Sequence, residues 1–235
     1  MKPRPADVIR SLLYYAAFFG GSFCLALAAS LVPVLGPRWA IFLAHVWSRW
    51  QRTAARYLLG IHIRVEGTLP QGAVLVAGKH ETMFEAIDLP TLLDNPVPFA
   101  KAELLRLPLW GRVGRCYGLV PVERGQGAKA LRAMRATAAG YVAKNRPLVI
   151  FPEGTRVPHG TRPPLQSGFA GLYKILDLPV VPFAVNSGAI FSGRWKRPGT
   201  ITVRFGDPIP AGLSRAEIEE RVHTAINVLN TDPAV

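Results

Sequence analysis

For the 27 residues between Arg10 and Arg38 the chain carries no charge ("SLLYYAAFFGGSFCLALAASLVPVLGP"). At 1.5 Å rise per residue, a helix of that length crosses a hydrocarbon layer of roughly 30 Å. From about residue 61 the pattern changes to short β-rich runs alternating with helical stretches. "IHIRVEG" alternates apolar and polar positions, and "AVLVAG", "PVPFAK", "LVPVER", "RPLVIF", "PVVPFAV" and "TITVRFG" are further strand candidates. The intervening helical pieces fall at 83–94, 102–116, 127–144, 168–177 and 214–230. The last opens on Ser214-x-x-Glu217, a capping-box spacing that satisfies free amide donors at a helix start. Repeated strand-helix alternation predicts an α/β fold, a largely parallel sheet flanked by helices. The chain therefore divides into membrane-associating N-terminal helices over 1–60 and an α/β domain over 61–235. The irregular stretch "GTRVPHGTRPPLQSGF" reads as a long loop on the function-bearing side.

The N-terminal segment fits either a spanning helix or two helices dipping into one leaflet. Gly20-Gly21 is expected to weaken the first helix midway. Pro33 and Gly36-Pro37 break it, and the apolar "WAIFLAHVW" that follows is too short to span. A cleaved signal peptide is not expected, because the charge-free run exceeds a signal's apolar core and reaches Pro33 without a cleavage site. Trp47, Arg49, Trp50, Arg52, Arg56 and Tyr57 mix indoles with cations. That mixture suits a helix at the headgroup level and, equally, an amphipathic helix packed on the protein.

Composition narrows the partners. Twenty-eight Lys and Arg against fifteen Asp and Glu give +13, which calls for a polyanion: nucleic acid, an anionic membrane face or a phosphorylated substrate. The cations are scattered, and no aromatic-basic module of recognised type occurs, so nucleic acid is not expected. A non-catalytic basic protein that binds membranes or nucleic acid is the rival class. Cys24 and Cys116 lie in unrelated segments and suggest neither a disulfide framework nor a zinc site. A reducing compartment fits, which puts the domain on the cytoplasmic side of a membrane, in bacteria the inner one.

Candidate chemistry gathers in "GKHETMFEAIDLP", residues 78–90, directly after an apolar strand. "HETMF" is not a zinc-protease motif, since Phe84 stands where the second histidine would be, and no metal site is expected. Neither a Gly-x-Ser-x-Gly elbow nor a P-loop is present. What remains is His80 with Glu85 five positions on. Five residues of continuous helix turn through about 140°, so the two converge only if His80 sits in a turn and Glu85 in the first turn of the next helix. A carboxylate on one imidazole nitrogen fixes the tautomer and leaves the other as a base toward a hydroxyl. A loop histidine bonded to backbone is the alternative. Glu81 and Asp88 are expected to be solvated or helix-capping. A second stretch, "LVIFPEGTR", delivers a buried strand to a turn at Gly154, after which Thr155 and Arg156 offer a hydroxyl and a guanidinium fork suited to phosphate. Glu153 looks out of place beside an anion unless it shapes the turn.

His80-x4-Glu85 followed by Phe151-Pro-Glu-Gly-Thr-Arg156 resembles the glycerolipid acyltransferase family, which includes the 1-acylglycerol-3-phosphate acyltransferases. "GLVPVERG", with Gly118 and Arg124, and "VVPFAVNSG", around Pro182, are similar to two further family blocks, and the likeness runs over about residues 60–210. It implies transfer of a fatty acyl group from acyl-CoA or acyl carrier protein to the free hydroxyl of a lysophospholipid, with 1-acylglycerol-3-phosphate the best fit and a lyso-ornithine lipid an alternative acceptor. It implies no cofactor, and membrane lipids as surroundings. Carried over by position, His80 is the general base and Glu85 its orienting acid. Arg124, Glu153, Gly154, Thr155 and Arg156 fall in the glycerophosphate-binding region, with Lys101 a further phosphate contact. The chain departs from the family at Glu85, where most relatives carry Asp. It departs also at Thr82 in place of a serine, and at Gln166 where a basic residue is common.

Overall fold

A computed structural model describes residues 4–108, 110–123 and 127–230. Helix α1 (Pro5–Ala29) is followed by the one-turn α2 (Val32–Leu35) and by α3 (Pro37–Ala54), which passes through a π-helical turn at Ala55–Leu59 into the sheet domain. The domain then runs β1 (Ile61–Glu66), β2 (Leu75–Gly78), α4 (Met83–Leu92), β3 (Val97–Lys101), α5 (Trp110–Tyr117), β4 (Val120–Val122), α6 (Gly127–Val142), β5 (Leu148–Ile150), α7 (Gly168–Leu176), β6 (Val180–Val185), α8 (Gly188–Phe191), β7 (Gly199–Phe205) and α9 (Arg215–Ile226). All seven strand candidates form one sheet in the order β1-β7-β6-β2-β5-β3-β4.

The five strands from β6 to β4 are mutually parallel, which matches the expected sheet. Its other edge differs: β7 runs antiparallel to β6, and β1 pairs parallel with β7. The cause is the link between β6 and β7, which holds only the four-residue α8. A parallel partner needs a crossover that carries the chain back to the opposite sheet edge, usually on a full helix; residues 186–198 supply only one helical turn, so the chain turns round near where it emerges and pairs antiparallel. The central strands are apolar throughout because both faces are covered; every residue of β2 and β6 is buried. On one face Val76, Val181 and Ile201 pack with Tyr14 and Phe18 of α1 and Phe84 of α4. On the other, Leu75, Leu148 and Val180 pack with Met134 of α6, Phe169 of α7 and Ile218 of α9.

Helix α1 does not weaken at Gly20-Gly21 but runs unbroken through them. Gly21 gives room to a neighbour instead, and Gly20 faces open space: a Cβ on Gly21 would fall 2.2 Å from the Trp50 indole nitrogen, which donates to the Ala17 carbonyl. Trp47 likewise donates to Ser22 Oγ, and Trp39 to the Ala28 carbonyl, so three indoles of α3 bind α1 as one hairpin. Arg49, Arg56 and Tyr57 remain exposed. Beyond them α1 shows solvent Leu12, Leu13, Phe19, Phe23 and Leu27, and it is long and apolar enough to cross a membrane.

The opposite side of α3 is fastened to α4 by polar contacts. Gln51 donates to the Phe84 carbonyl, Ser48 Oγ accepts from Thr91, and Arg52 forms a two-pronged pair with Asp88 at 2.8 and 2.6 Å. Asp88 is thus buried and paired, contrary to the solvated or capping position expected of it. Burial pushes its carboxyl up, and the Arg52 bonds and charge oppose that. Arg52→Ala, which strands this carboxylate, is expected to cost about 2 kcal/mol in urea unfolding. Replacing both partners by Met and Leu should recover much of that loss.

Candidate active site

Strand β2 ends at Gly78 and the chain turns through Lys79–Glu81 before Thr82 caps α4. Thr82 Oγ1 accepts from the Phe84 amide, and the Glu85 side chain reaches back to the Thr82 amide at 2.7 Å, a reciprocal capping box. This contact accounts for the length of the glutamate side chain, which spans the distance back to the cap. It also resolves the five-residue spacing. His80 lies in the turn outside the helix, and its Nδ1 meets Glu85 Oε1 at 2.9 Å. The same oxygen accepts from the Glu81 amide at 2.6 Å, while Oε2 accepts from Thr82 Oγ1 at 2.9 Å and Ser187 Oγ at 2.7 Å. Every neighbour donates, so Glu85 serves as the acceptor for Nδ1–H and the lone pair of the imidazole is left on Nε2. The imidazole is 17 % exposed and stacks on the Phe151 ring with centroids 4.2 Å apart.

Phe151 opens the second segment, which leaves β5 at the same carboxyl edge of the sheet. Gly154 has φ +70°, a backbone conformation that costs glycine nothing. Glu153 points inward. Its carboxylate is fully buried, takes Lys79 Nζ at 2.6 Å on one oxygen and the His80 amide at 3.3 Å on the other, and thereby shapes the turn. Lys79 is itself buried and also donates to the Thr161 carbonyl and Asn227 Oδ1. The Val157 amide bonds the His80 carbonyl at 2.8 Å, so the two motif segments are clasped together. Thr155 and Arg156 are exposed at this edge, as is Lys101 at the end of β3; among the described residues Arg156 makes no ion pair. Arg124 lies outside the described residues.

Beside the His80–Glu85 pair stands a second one. His159 Nδ1 meets Glu81 Oε1 at 2.8 Å, and Glu81 Oε2 accepts from the Gly188 amide at 2.7 Å. Glu81 is therefore buried rather than solvated. Burial pushes its carboxyl up, against the pull of the His159 and Gly188 bonds and the His159 charge. Lys79, Ser187 and His159 received no role from sequence reasoning. The first follows a strand in sequence, the second closes a family-like block, and the third is a histidine in a loop, yet only the fold brings their partners to them. Cavities of about 460 Å³, lined by Pro182, Asp207, Glu220 and Arg221 among others, and about 320 Å³, lined by Asp7, Ser192, Arg194 and Trp195 among others, contain none of these groups. Among the described residues no set of three His, Cys, Asp or Glu side chains is placed to hold a metal.

Comparisons with known proteins bear on the family and the fold. A family model described as Acyltransferase matches residues 61–186. The chain is 29 % identical over 211 residues to a 1-acyl-sn-glycerol-3-phosphate acyltransferase of Pseudomonas aeruginosa, covering 87 % of this chain and 82 % of that one. It is 27 % identical over 210 residues to the human 1-acyl-sn-glycerol-3-phosphate acyltransferase alpha, covering 86 % and 74 %. Its fold is similar to the crystal structure of the 1-acyl-sn-glycerophosphate acyltransferase PlsC from Thermotoga maritima, with TM-score 0.69 at 18 % identity, over 94 % of this chain and 93 % of that one.

Proposed function

On the premise that the chain belongs to the acyltransferase family, we propose that this O-acyltransferase moves a fatty acyl group from acyl-CoA or acyl carrier protein to the free hydroxyl of 1-acylglycerol-3-phosphate. The observation that carries the reading is the 2.9 Å contact between His80 Nδ1 and Glu85, made on the face of Phe151, the residue that begins the segment ending in Arg156. Two relatives named for this reaction, matched over most of their length, support the choice of acceptor.

In the reaction Nε2 of His80 takes the hydroxyl proton as the oxygen attacks the thioester carbonyl carbon. Glu85 keeps hold of Nδ1–H and stabilises the imidazolium. The tetrahedral adduct then collapses, the carbon–sulfur bond breaks, and the departing sulfur takes the proton from Nε2, leaving the new ester. A thioester is already activated, so the step asks for a base, oxyanion stabilisation and alignment, and no covalent enzyme intermediate or cofactor. Glu153 acts through the His80 amide and Lys79 as a positioning residue. Arg156, Thr155 and Lys101 bind the acceptor phosphate at the exposed edge, and Arg124 is assigned the same ligand from its place in the sequence block alone. The exposed apolar residues of α1 support a seat at a bilayer, with the acceptor's fatty tail remaining in lipid.

Purified protein incubated with labelled acyl-CoA or acyl carrier protein and a panel of lysolipids tests this directly. Label appearing in phosphatidic acid supports the proposal. Label only in another lipid reassigns the acceptor, and no labelled lipid removes the reading. Arg156→Ala is expected to raise the acceptor's half-saturation concentration roughly tenfold or more, with a smaller change in kcat, because a charge-assisted fork is lost from binding.

A further inference from the structure

Resting on the acceptor assigned above, we propose that His159, oriented by Glu81, is a further phosphate-recognising residue that hydrogen-bonds the acceptor's phosphate monoester through Nε2. The loop that carries it, residues 154–166, contains Arg156, His159 and Arg162 and no acid. Its Val157 amide is bonded to the carbonyl of His80, and Glu81 is the next residue after that base, so His159 is held to the turn that bears the nucleophile-activating group. Glu81 occupies Nδ1 and is itself pinned by the Gly188 amide, which fixes the ring's orientation. Among the described residues Nε2 has no hydrogen-bond partner, and the ring is 19 % exposed. An imidazole whose inner edge is anchored to a buried carboxylate and whose outer edge is free is a preorganised donor in its protonated form. Arginines three residues to either side make a doubly charged monoester the fitting ligand, in preference to a singly charged diester.

The charged groups that bear on Glu81 are His159 and, from the first turn of α4, Glu85; α8 contributes its Gly188 amide, Arg156 and Arg162 are the other charged residues of the loop, and Lys79 and Glu153, neighbours in sequence of His80 and Gly154, are paired with each other. Glu81 and His159 thus form a unit whose carboxylate is committed to structure and whose ring is available to a ligand.

His159→Asn and His159→Gln separate recognition from mere loop support. The asparagine amide takes the place of Nδ1 and can still donate to Glu81, but it lacks the Nε2 edge; glutamine places a neutral donor near Nε2. His159→Asn is expected to raise the KM for 1-acylglycerol-3-phosphate about tenfold, with kcat and the KM for the acyl donor within twofold of wild type, and His159→Gln to fall between. A titration of glycerol 3-phosphate into wild type and His159→Asn, followed by calorimetry, reads the same site without turnover. An unchanged acceptor KM with unchanged glycerol 3-phosphate binding overturns the inference while leaving the transfer reaction standing. A change confined to the donor KM overturns it as well, because the phosphate read is then the donor's. Weakened glycerol 3-phosphate binding in a protein that transfers no acyl group sustains the phosphate site and removes the reaction proposed for it; neither binding nor transfer removes both.

Discussion

His80→Ala is expected to lower kcat by about a thousandfold while leaving the unfolding midpoint nearly unchanged. On the proposed mechanism the rate loss follows from removing the imidazole nitrogen assigned to take the hydroxyl proton. The stability half of the expectation follows from the company Glu85 keeps. Without the imidazole the buried carboxylate still accepts from the Glu81 and Thr82 amides and from the Thr82 and Ser187 hydroxyls. The imidazole is partly exposed, and its loss frees one face of Phe151 without opening a sealed void. Glu85→Gln is a less clean test: donors converge on both oxygens, so an amide nitrogen on either side would confront N–H or O–H groups, and the helix start would suffer with the chemistry. Initial rates and thermal unfolding on the same samples decide the matter. Near-normal turnover by His80→Ala would remove the base assignment.

Lys79→Met should produce the largest loss of stability of any single substitution near the site, about 3–5 kcal/mol. The ammonium group donates to Glu153 at 2.6 Å, to the Thr161 carbonyl at 2.7 Å and to Asn227 Oδ1 at 2.8 Å, partners 74, 82 and 148 positions away in sequence. Its removal leaves the Glu153 carboxylate in the interior with, among the described residues, one long bond from the His80 amide, while the Thr161 carbonyl and Asn227 Oδ1 keep only their bonds from Asn230 Nδ2. Against a typical total of 5–15 kcal/mol, that loss is enough to populate the unfolded chain. Lys79→Met combined with Glu153→Leu should recover part of the loss, since no lone charge is then buried. Urea unfolding of the single and double variants measures both effects. A single variant within about 1 kcal/mol of wild type would show that the pair is not what ties the two motif segments together.

What could be read before the fold was known depended on how local the cause was. Each strand announces itself by a short apolar or alternating run, and α9 by its Ser214–Glu217 box, which the structure contains. The same box at Thr82–Glu85 is also local, but the histidine beside it drew the eye to chemistry and away from capping. Remote partners could not be read. Glu81 and Asp88 look like surface acids until His159 and Arg52, 78 and 36 residues away, come to meet them. The antiparallel edge escaped notice for a related reason: strand composition reports burial, whereas direction depends on the connection, here a single helical turn. Gly20-Gly21 misled because glycine signals flexibility in isolation and close approach in company; the indole of Trp50 supplied the company.

The N-terminal hairpin and the sheet share one interior. Tyr14, Phe18, Ala54 and Leu59 lie in the same cluster as Val76, Val149 and Val181, and α3 also grips the helix that bears Glu85. Trimming the protein back to Ile61 to gain a water-soluble enzyme would therefore strip a wall from the catalytic half, and not a detachable anchor. Any solution condition chosen for this protein must leave α1 seated, because the geometry around His80 is built partly on what lies beneath that helix.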